Sequence, residues 1–466
     1  MSGKTFMLFS HICNPAHMTG AEKYLLLLVQ ELMPYRRVIL VVPNEGMLAQ
    51  EARKLGCEVR VHSYPLVWQL WNPGPDLPAE EHHWLQSRDL VMLMNLLHMH
   101  RPDAVIVNTC VNALPAMAAS RLGIPVLWMM TEVMRTGPHS PYAVSWIHRH
   151  ATWIGGISDA TLSVFLSSGL EAKTLMLQPS WRPEQYRPQS WNQRRRQLRA
   201  TYGIGPQSML IGYIVSDITP PKGFDHFVEM ALRLCPAYPQ AHFLIIGQVA
   251  DRAYYDRTLQ ALHGSGHAAR FVLIPYHQSI EAVYPAMDLL VVPSLIPEGF
   301  GLTAMEGMIF GNPVVAYRHG GLEEILNRTG MGALLVPPGD VAQLAETVSG
   351  LISDRNRLLA TGREAQRVVH TAFGIETYRS RLRQILHTMD QAMEAVERHH
   401  AQQRAVIPDG SLLRGAQTPA VFLIQNGRKR PFTSEAAFLS AGCSWQQIRT
   451  VDESVLQWFP NGMPIS

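Results

Sequence analysis

Twice along this chain a series of short apolar runs alternates with stretches of helical periodicity, and few folds accept that pattern. Thr5 to Ile12, Arg37 to Pro43, Glu58 to Tyr64, Asp103 to Thr109, Pro125 to Thr131 and Thr152 to Ile157 have the length and composition of strands. The pattern restarts at Met209 to Ser216 and continues through Ala241 to Gly247, Arg270 to Pro275, Asp288 to Val292, Pro313 to Tyr317 and Ala333 to Pro337. A run that is apolar throughout suits a strand covered on both faces, as in a parallel sheet flanked by helices. Each series therefore predicts a doubly wound, Rossmann-like α/β domain. The first is expected over residues 1–185 and the second over 186–376. Ligands of open parallel sheets bind beyond the carboxyl ends of the strands, so two such domains facing each other make a cleft.

Within the second series, Pro293 to Glu324 (PSLIPEGFGLTAMEGMIFGNPVVAYRHGGLEE) is dense in turn and helix signals. It follows the apolar run Leu289 to Val292. Gly299, Phe300 and Gly301 make a tight turn, and a helix is expected from Leu302 to about Phe310, stopped by Gly311-Asn312-Pro313. Gly320-Gly321 opens another helix. A glycine turn that feeds a helix presents unpaired N–H groups and the positive end of the helix dipole, which suits a phosphate. Glu298 sits on the loop and Glu306 about one turn into the helix. A carboxylate accepts two hydroxyl hydrogen bonds from a sugar with little strain. One acid near each end of a sugar nucleotide is chemically sensible, although a strand–helix corner with two solvated acids fits the spacing equally well.

The run Glu298-Gly-Phe-Gly-Leu-Thr-Ala-Met-Glu306, followed by Gly-Asn-Pro-Val-Val and Gly-Gly-Leu-Glu-Glu, resembles the signature of retaining, nucleotide-sugar-dependent GT-B glycosyltransferases. That large group (glycosyltransferase family 4-like) includes sucrose synthases, bacterial glycogen synthases and lipopolysaccharide mannosyl- and glucosyltransferases. The resemblance extends from about residue 5 to about residue 390. It implies an N-terminal acceptor domain, a C-terminal donor domain and a helix over 377–400 that returns to the first domain. Leu382, Ile385, Leu386, Met389, Met393 and Val396 have the spacing for that helix. It also implies retaining, metal-independent transfer of a sugar from a nucleoside diphosphate sugar to an acceptor hydroxyl, with no cofactor. The acceptor is a glycan, a lipid-linked group or a protein, and the setting is bacterial polysaccharide, lipopolysaccharide or glycoconjugate synthesis.

By the same resemblance, Glu306 holds the ribose hydroxyls. Glu298 and the amides of Gly299, Phe300 and Gly301 hold the hexose, with Leu302 and Thr303 completing the donor site. Met18-Thr19-Gly20-Ala21-Glu22-Lys23 is similar to the family's Gly-Gly-Ala-Glu loop, with Thr19 in place of one glycine. Amides near Gly20 are expected to close over the donor phosphates, while Glu22 reads alternatively as a first-turn helix acid. Val215 to Gly223 aligns with the family's Gly-Arg…Lys-Gly loop, which puts Ser216 and Lys222 at the pyrophosphate. Catalytic roles fall to Glu298 and Lys222. Asp217 stands where an arginine is usual; an acid beside a phosphate is unfavourable, so it is expected to point away. Lys222 is then the one cation expected on that side. Thr131 stands where a histidine is usual, next to Glu132, the acceptor-side candidate, and neither His11 nor His139 can be given that histidine's role from sequence. Ser158-Asp159 resembles the family's Ser-Glu and reads as a helix cap.

The rest of the chain sets limits. Formal net charge is +3, which gives no reason to expect a nucleic-acid partner. The five cysteines are scattered, without metal spacing or a disulfide framework, and suit a reducing compartment. No run reaches the length of a membrane span and the N-terminal apolar run is short for a signal peptide, so a cytoplasmic protein is expected, with peripheral contact at the inner membrane face open. Arg194-Arg195-Arg196, in a Pro-rich linker, reads as a solvated helix face, with acidic lipid binding as the alternative. Trp68, Trp71 and Trp84 cluster around a Pro-rich loop and read as a sugar platform, a lipid-interface patch or loop packing. Residues 407–466 hold short β-like runs. Ala420 to Gln425, Asn426-Gly427 and Arg428 to Thr433 predict a hairpin with a type I′ turn, and the run is similar to a small module appended to bacterial envelope proteins. A non-catalytic glycan- or nucleotide-binding protein on the same scaffold is the alternative that Thr131 and Asp217 favour. A nicotinamide dehydrogenase is set aside, because no Gly-x-Gly-x-x-Gly follows the first strand.

Overall fold

The computed structural model describes residues 3–275, 279–404, 407–416 and 418–466. The chain forms two compact units, Met1–Leu382 and Arg383–Ser466. The first unit holds two parallel sheets. In chain order the first sheet has strands β1 (Thr5–Phe9), β2 (Arg37–Val42), β3 (Glu58–Val61), β4 (Ala104–Asn108), β5 (Val126–Met130), β6 (Trp153–Gly156) and β7 (Thr174–Met176). Their spatial order is β3-β2-β1-β4-β5-β6-β7. The second sheet has β8 (Met209–Ile218), β9 (Ala241–Val249), β10 (Phe271–Ile274), β11 (Leu289–Val292), β12 (Val314–Tyr317) and β13 (Leu335–Val336), in the order β10-β9-β8-β11-β12-β13. The central strands β1, β4, β5 and β11 are buried along their whole length, the physical reason for their unbroken apolar composition. The short strand β7 carries no such run, and its half-buried residues gave the sequence no strand signal.

Both sheets reverse their winding order once, between β1 and β4 in the first and between β8 and β11 in the second. These are the switch points where loops diverge and leave a crevice. The loops after β1, β8 and β11 are the ones that carry Gly20, Lys222 and Glu298.

The long helix Ile375–Arg404 begins beside the first sheet's layer. Tyr378 is buried, Arg379 pairs with Glu31 at 2.8 Å, and Arg381 donates to Gln178 Oε1 at 2.6 Å. The start of this helix thus contacts the first domain. Leu382, Ile385, Leu386 and Met389 are buried and Met393 is half-buried; the side chain of Val396 lies outside the described residues.

The arginine run requires a correction. Arg194 and Arg196 are exposed on the helix Trp191–Thr201, but Arg195 is not part of a solvated face. Its guanidinium donates to the carbonyls of Pro285, Ala286 and Met287 and pairs with Asp288 at 2.6 Å. Arg199, one turn on, is buried and pairs with the other Asp288 oxygen at 2.5 Å. Two arginines at helical spacing clamp one carboxylate that also caps the Leu210 N–H. Sequence spacing alone could not reveal Asp288 as their partner.

The second unit carries a four-stranded sheet of β14 (Leu412–Gly415), β15 (Val421–Gln425), β16 (Arg428–Pro431) and β17 (Ile448–Val451), ordered β16-β15-β14-β17. The β15–β16 hairpin turns through Asn426 (φ 52°) and Gly427 (φ 65°), the two left-handed residues of a type I′ turn. The Asp409 carboxylate accepts both of their N–H groups. Small cores flank the sheet, one of Ile407, Leu413, Ile424, Leu456 and Phe459 and another of Leu412, Val421 and Phe438. Among the described residues, no helix is long and apolar enough to cross a membrane.

Candidate active site

The loop after β11 is shaped by glycine. Gly301 has φ 97° and is the N-cap of the helix Leu302–Ile309, a conformation that a side chain would strain. A methyl added at Gly299 would overlap the carbonyl oxygen of Thr131, so the second domain's loop touches the first domain's β5 loop backbone to backbone. Ser158 Oγ holds the same junction by donating to the Gly299 carbonyl at 2.5 Å, while it also caps the helix Asp159–Leu166. Phe300 enters the site through its backbone only, for its ring is buried against Phe373.

These contacts leave a cavity of about 250 Å³ at the switch points. Gly20, Ser216, Lys222, Glu298, Gly299, Phe300, Gly301, Leu302 and Thr303 all line it, together with Glu132. Glu306 lines a smaller adjoining space of about 90 Å³, which shares Gly20, Ser216, Leu302 and Thr303. Every sequence-predicted donor residue therefore converges on one region. Val215 and Ser216 face it from a break in the β8–β9 ladder, where the register shifts between Ile214 and Asp217. Such a bulge re-aims side chains at a strand end, and no residue type in the sequence announced it.

The two acids are held by different partners. Glu298 Oε1 accepts from Lys222 Nζ at 2.6 Å and from Ser294 Oγ at 2.8 Å. Burial by itself raises the Glu298 carboxyl, but the Lys222 ammonium and the two hydrogen bonds outweigh it and hold the group below its ordinary range. Glu306 is almost buried; its Oε2 accepts from Tyr284 Oη at 2.8 Å and its Oε1 pairs with Lys23 at 3.2 Å. Lys23, Ser294 and Tyr284 were not singled out from the sequence. Lys23 stands next to Glu22 in the predicted loop, and only the fold reveals that it reaches a residue 283 positions away.

Glu22 is a capping residue. Its carboxylate accepts from the Thr19 and Asn14 N–H groups, each at 2.9 Å, in a capping box with Thr19. Asp217 does not line the 250 Å³ cavity; its carboxylate is 3.8 Å from Nε2 of the buried His17.

A second cavity of about 650 Å³ shares Thr131, Glu132, Lys222, Glu298 and Gly299 with the first, and adds His11, Trp68, Trp71 and Arg135. Glu132 accepts from Thr131 Oγ1 at 2.9 Å and from the Cys110 N–H at 3.3 Å. Burial raises its carboxyl above the ordinary range despite those bonds. The preceding residue, Thr109, has φ 79°, a strained conformation for a β-branched side chain, and that turn aims the Cys110 N–H at Glu132. Burial lowers His11 to about 4, so its imidazole is neutral near pH 7. Of the two histidines weighed for the site, His11 lines this cavity and His139 lies at the start of the helix Ser140–His150. The tryptophans separate. Trp68 is 60% exposed and Trp71 lies under the Arg135 guanidinium, both on the cavity wall, whereas Trp84 packs against the first domain's core.

Residues 209–354 match the family model described as Glycosyl transferases group 1. The chain is 32% identical over 180 residues to the 2-deoxystreptamine glucosyltransferase of Streptomyces kanamyceticus, covering 38% of this chain and 45% of that protein. It is 33% identical over 194 residues to the D-inositol 3-phosphate glycosyltransferase of Rhodococcus opacus, covering 39% and 43%. The chain thus spans less than half the length of these relatives. Among solved structures, Anabaena HepE in complex with UDP and glucose superposes with a TM-score of 0.67 at 21% identity, over 83% of this chain and 99% of that one. The fold is GT-B: two Rossmann-like domains facing a cleft, with a small additional sheet in the C-terminal unit.

Proposed function

We propose that this protein is a retaining glycosyltransferase that moves a hexose from a nucleoside diphosphate sugar to an acceptor hydroxyl, in the synthesis of a bacterial polysaccharide, lipopolysaccharide or other glycoconjugate. The observation that carries the reading is the convergence of Glu298, Glu306, Lys222 and the uncapped N-terminus of the helix Leu302–Ile309 on two adjoining cavities that share Gly20, Ser216, Leu302 and Thr303. The relatives' names, and the UDP and glucose of the Anabaena structure, agree with it.

In this reading Glu306 accepts the ribose hydroxyls and Glu298 accepts hexose hydroxyls. The first-turn amides after Gly301 and the Lys222 ammonium face the diphosphate. The bond from the anomeric carbon to the phosphate oxygen breaks first, through an oxocarbenium-like state. The acceptor oxygen then bonds to that carbon on the same face, and the departing diphosphate takes the acceptor's proton. Lys222 matters most as negative charge gathers on the leaving group. The acceptor enters through the 650 Å³ cavity, where Glu132 stands between the two spaces. Lys222 and the backbone amides near Gly20 and after Gly301 neutralise the diphosphate in place of a metal ion, and any membrane contact is peripheral.

Thr131, where a histidine is usual, favours the non-catalytic alternative, because its hydroxyl is committed to Glu132. Hydrolysis of a panel of uridine, guanosine and adenosine diphosphate sugars separates the two. Release of nucleoside diphosphate, unchanged by a chelator, is expected. Binding without turnover across the panel would leave only the non-catalytic reading.

A further inference from the structure

A diphosphate brings more negative charge than one lysine balances, yet the second domain offers an acid, Asp217, where a second cation is expected by resemblance. That acid is turned to His17. Among the described residues, the lysines and arginines that line the 250 Å³ and 90 Å³ spaces are Lys222 and Lys23. Lys23 comes from the opposite side of the cleft, as the fourth residue of the helix Gly20–Leu32.

Its position is electrically unfavourable for a lysine. The first turn of a helix concentrates partial positive charge and selects acids. The cap of this helix is already completed by Glu22 and Thr19, so the fold has no need of a cation there. A local rule broken at the mouth of a cleft points to function. Lys23 Nζ spans that cleft to Glu306 Oε1 at 3.2 Å, while the other Glu306 oxygen is bonded to Tyr284. A ribose that rests its hydroxyls on Glu306 carries its α-phosphate on the C5′ oxygen of the same sugar. An ammonium seated against Glu306 reaches that phosphate by rotations of its own four-carbon stem.

We propose that Lys23 is the second cation of the diphosphate site, supplied by the N-terminal domain in place of the arginine that the C-terminal domain lacks. The proposal rests on the reading of the cleft as a nucleoside diphosphate-sugar site. It makes the nucleotide a bridge between the domains: ribose and hexose held by one, part of the phosphate charge by the other.

The test compares nucleosides with their diphosphates. Uridine and UDP, guanosine and GDP, and adenosine and ADP are titrated by calorimetry into the full chain and into Lys23→Met and Lys23→Arg. For the pair that binds, Lys23→Met is expected to weaken the diphosphate by about 10–100-fold, the size of a charged hydrogen bond, and to shift the nucleoside by less than about 3-fold. Lys23→Arg retains most of the diphosphate affinity, and added salt weakens diphosphate binding less in Lys23→Met than in the parent. Equal losses for nucleoside and diphosphate would mean that Lys23 only orients Glu306, and the proposal falls. Undiminished diphosphate affinity in Lys23→Met overturns it as well. If the parent chain binds none of the diphosphates, the donor-site reading itself fails, a result distinct from the other two.

Discussion

The two faces of the cleft are built on different principles. On the second domain's face the ligand space is walled by backbone: Gly299 against the Thr131 carbonyl, Gly301 at φ 97°, and the open first turn after it. On the first domain's face it is walled by side chains, namely His11, Trp68, Trp71 and Glu132. Backbone walls admit few residue types, because any Cβ at Gly299 collides with its neighbour. Side-chain walls admit many. The second domain's face therefore writes a long motif into the sequence and the first domain's face does not, which fits the proposed split between a donor side and an acceptor side.

The largest expected effect breaks the donor face. Lys222→Ala removes the ammonium that sits 2.6 Å from Glu298 and that the proposed function sets against the departing diphosphate. Turnover at saturating donor is expected to fall by about 10²–10³-fold, as on removing one oxyanion donor. Binding of the intact donor should fall less, since only interactions strengthened in the transition state raise the rate. Full turnover in the variant would mean that the phosphate is held elsewhere. Glu306→Ala follows in size. With the proposed ribose acceptor gone, nucleoside diphosphate affinity is expected to weaken by about 1.5–3 kcal/mol, the worth of a hydrogen bond to a charged group. The same calorimetric affinity as the parent would remove Glu306 from the ribose site.

The contrast between the faces also explains what was legible in the sequence. Alternating apolar runs disclosed both sheets except for the short β7, whose Thr174–Met176 lacks a continuous buried face. The glycines and acids of the Pro293–Glu324 stretch marked the residues that line the cleft, because sterics there dictate residue type. Lys23 escaped notice because its partner lies 283 residues away, and pairwise geometry between domains leaves no trace in local spacing. The β8 bulge and the strained Thr109 turn were invisible for a related reason: neither carries the glycine that usually marks such conformations. The arginine run conceals Arg195 because a run of like charges is usually solvated, and its buried partner Asp288 lies in the bend before β11.

A smaller effect is expected on the acceptor face. Trp68 is 60% exposed and lines the 650 Å³ cavity, which Glu132 also lines. An exposed indole and a carboxylate in one cavity suit the apolar face and hydroxyl rim of a sugar ring. With simple methyl glycosides as acceptors, Trp68→Ala is expected to raise the acceptor KM by about 3–10-fold, in line with the energy of an aromatic contact, and to change kcat less. A fall in kcat at constant KM would place Trp68 at the reacting centre and erase the division of labour between the faces.

The smallest expected effect belongs to the C-terminal sheet. Every residue that lines the 250, 90 and 650 Å³ spaces precedes residue 304, apart from Glu306. The sheet's cores draw on residues from Ile407 onward, so a chain ending at Arg404 leaves no half of a core behind. The helix Ile375–Arg404 keeps its Arg379–Glu31 and Arg381–Gln178 ties in such a chain. Truncation after Arg404 is therefore expected to leave the rate of donor hydrolysis within about 2-fold of the parent, since no residue from Ile407 onward lines these cavities. Circular dichroism fixes that the shortened chain is folded before the rate is compared. Lost hydrolysis in a folded truncation would make the sheet part of the active unit, and the cleft would no longer be complete with its two faces alone.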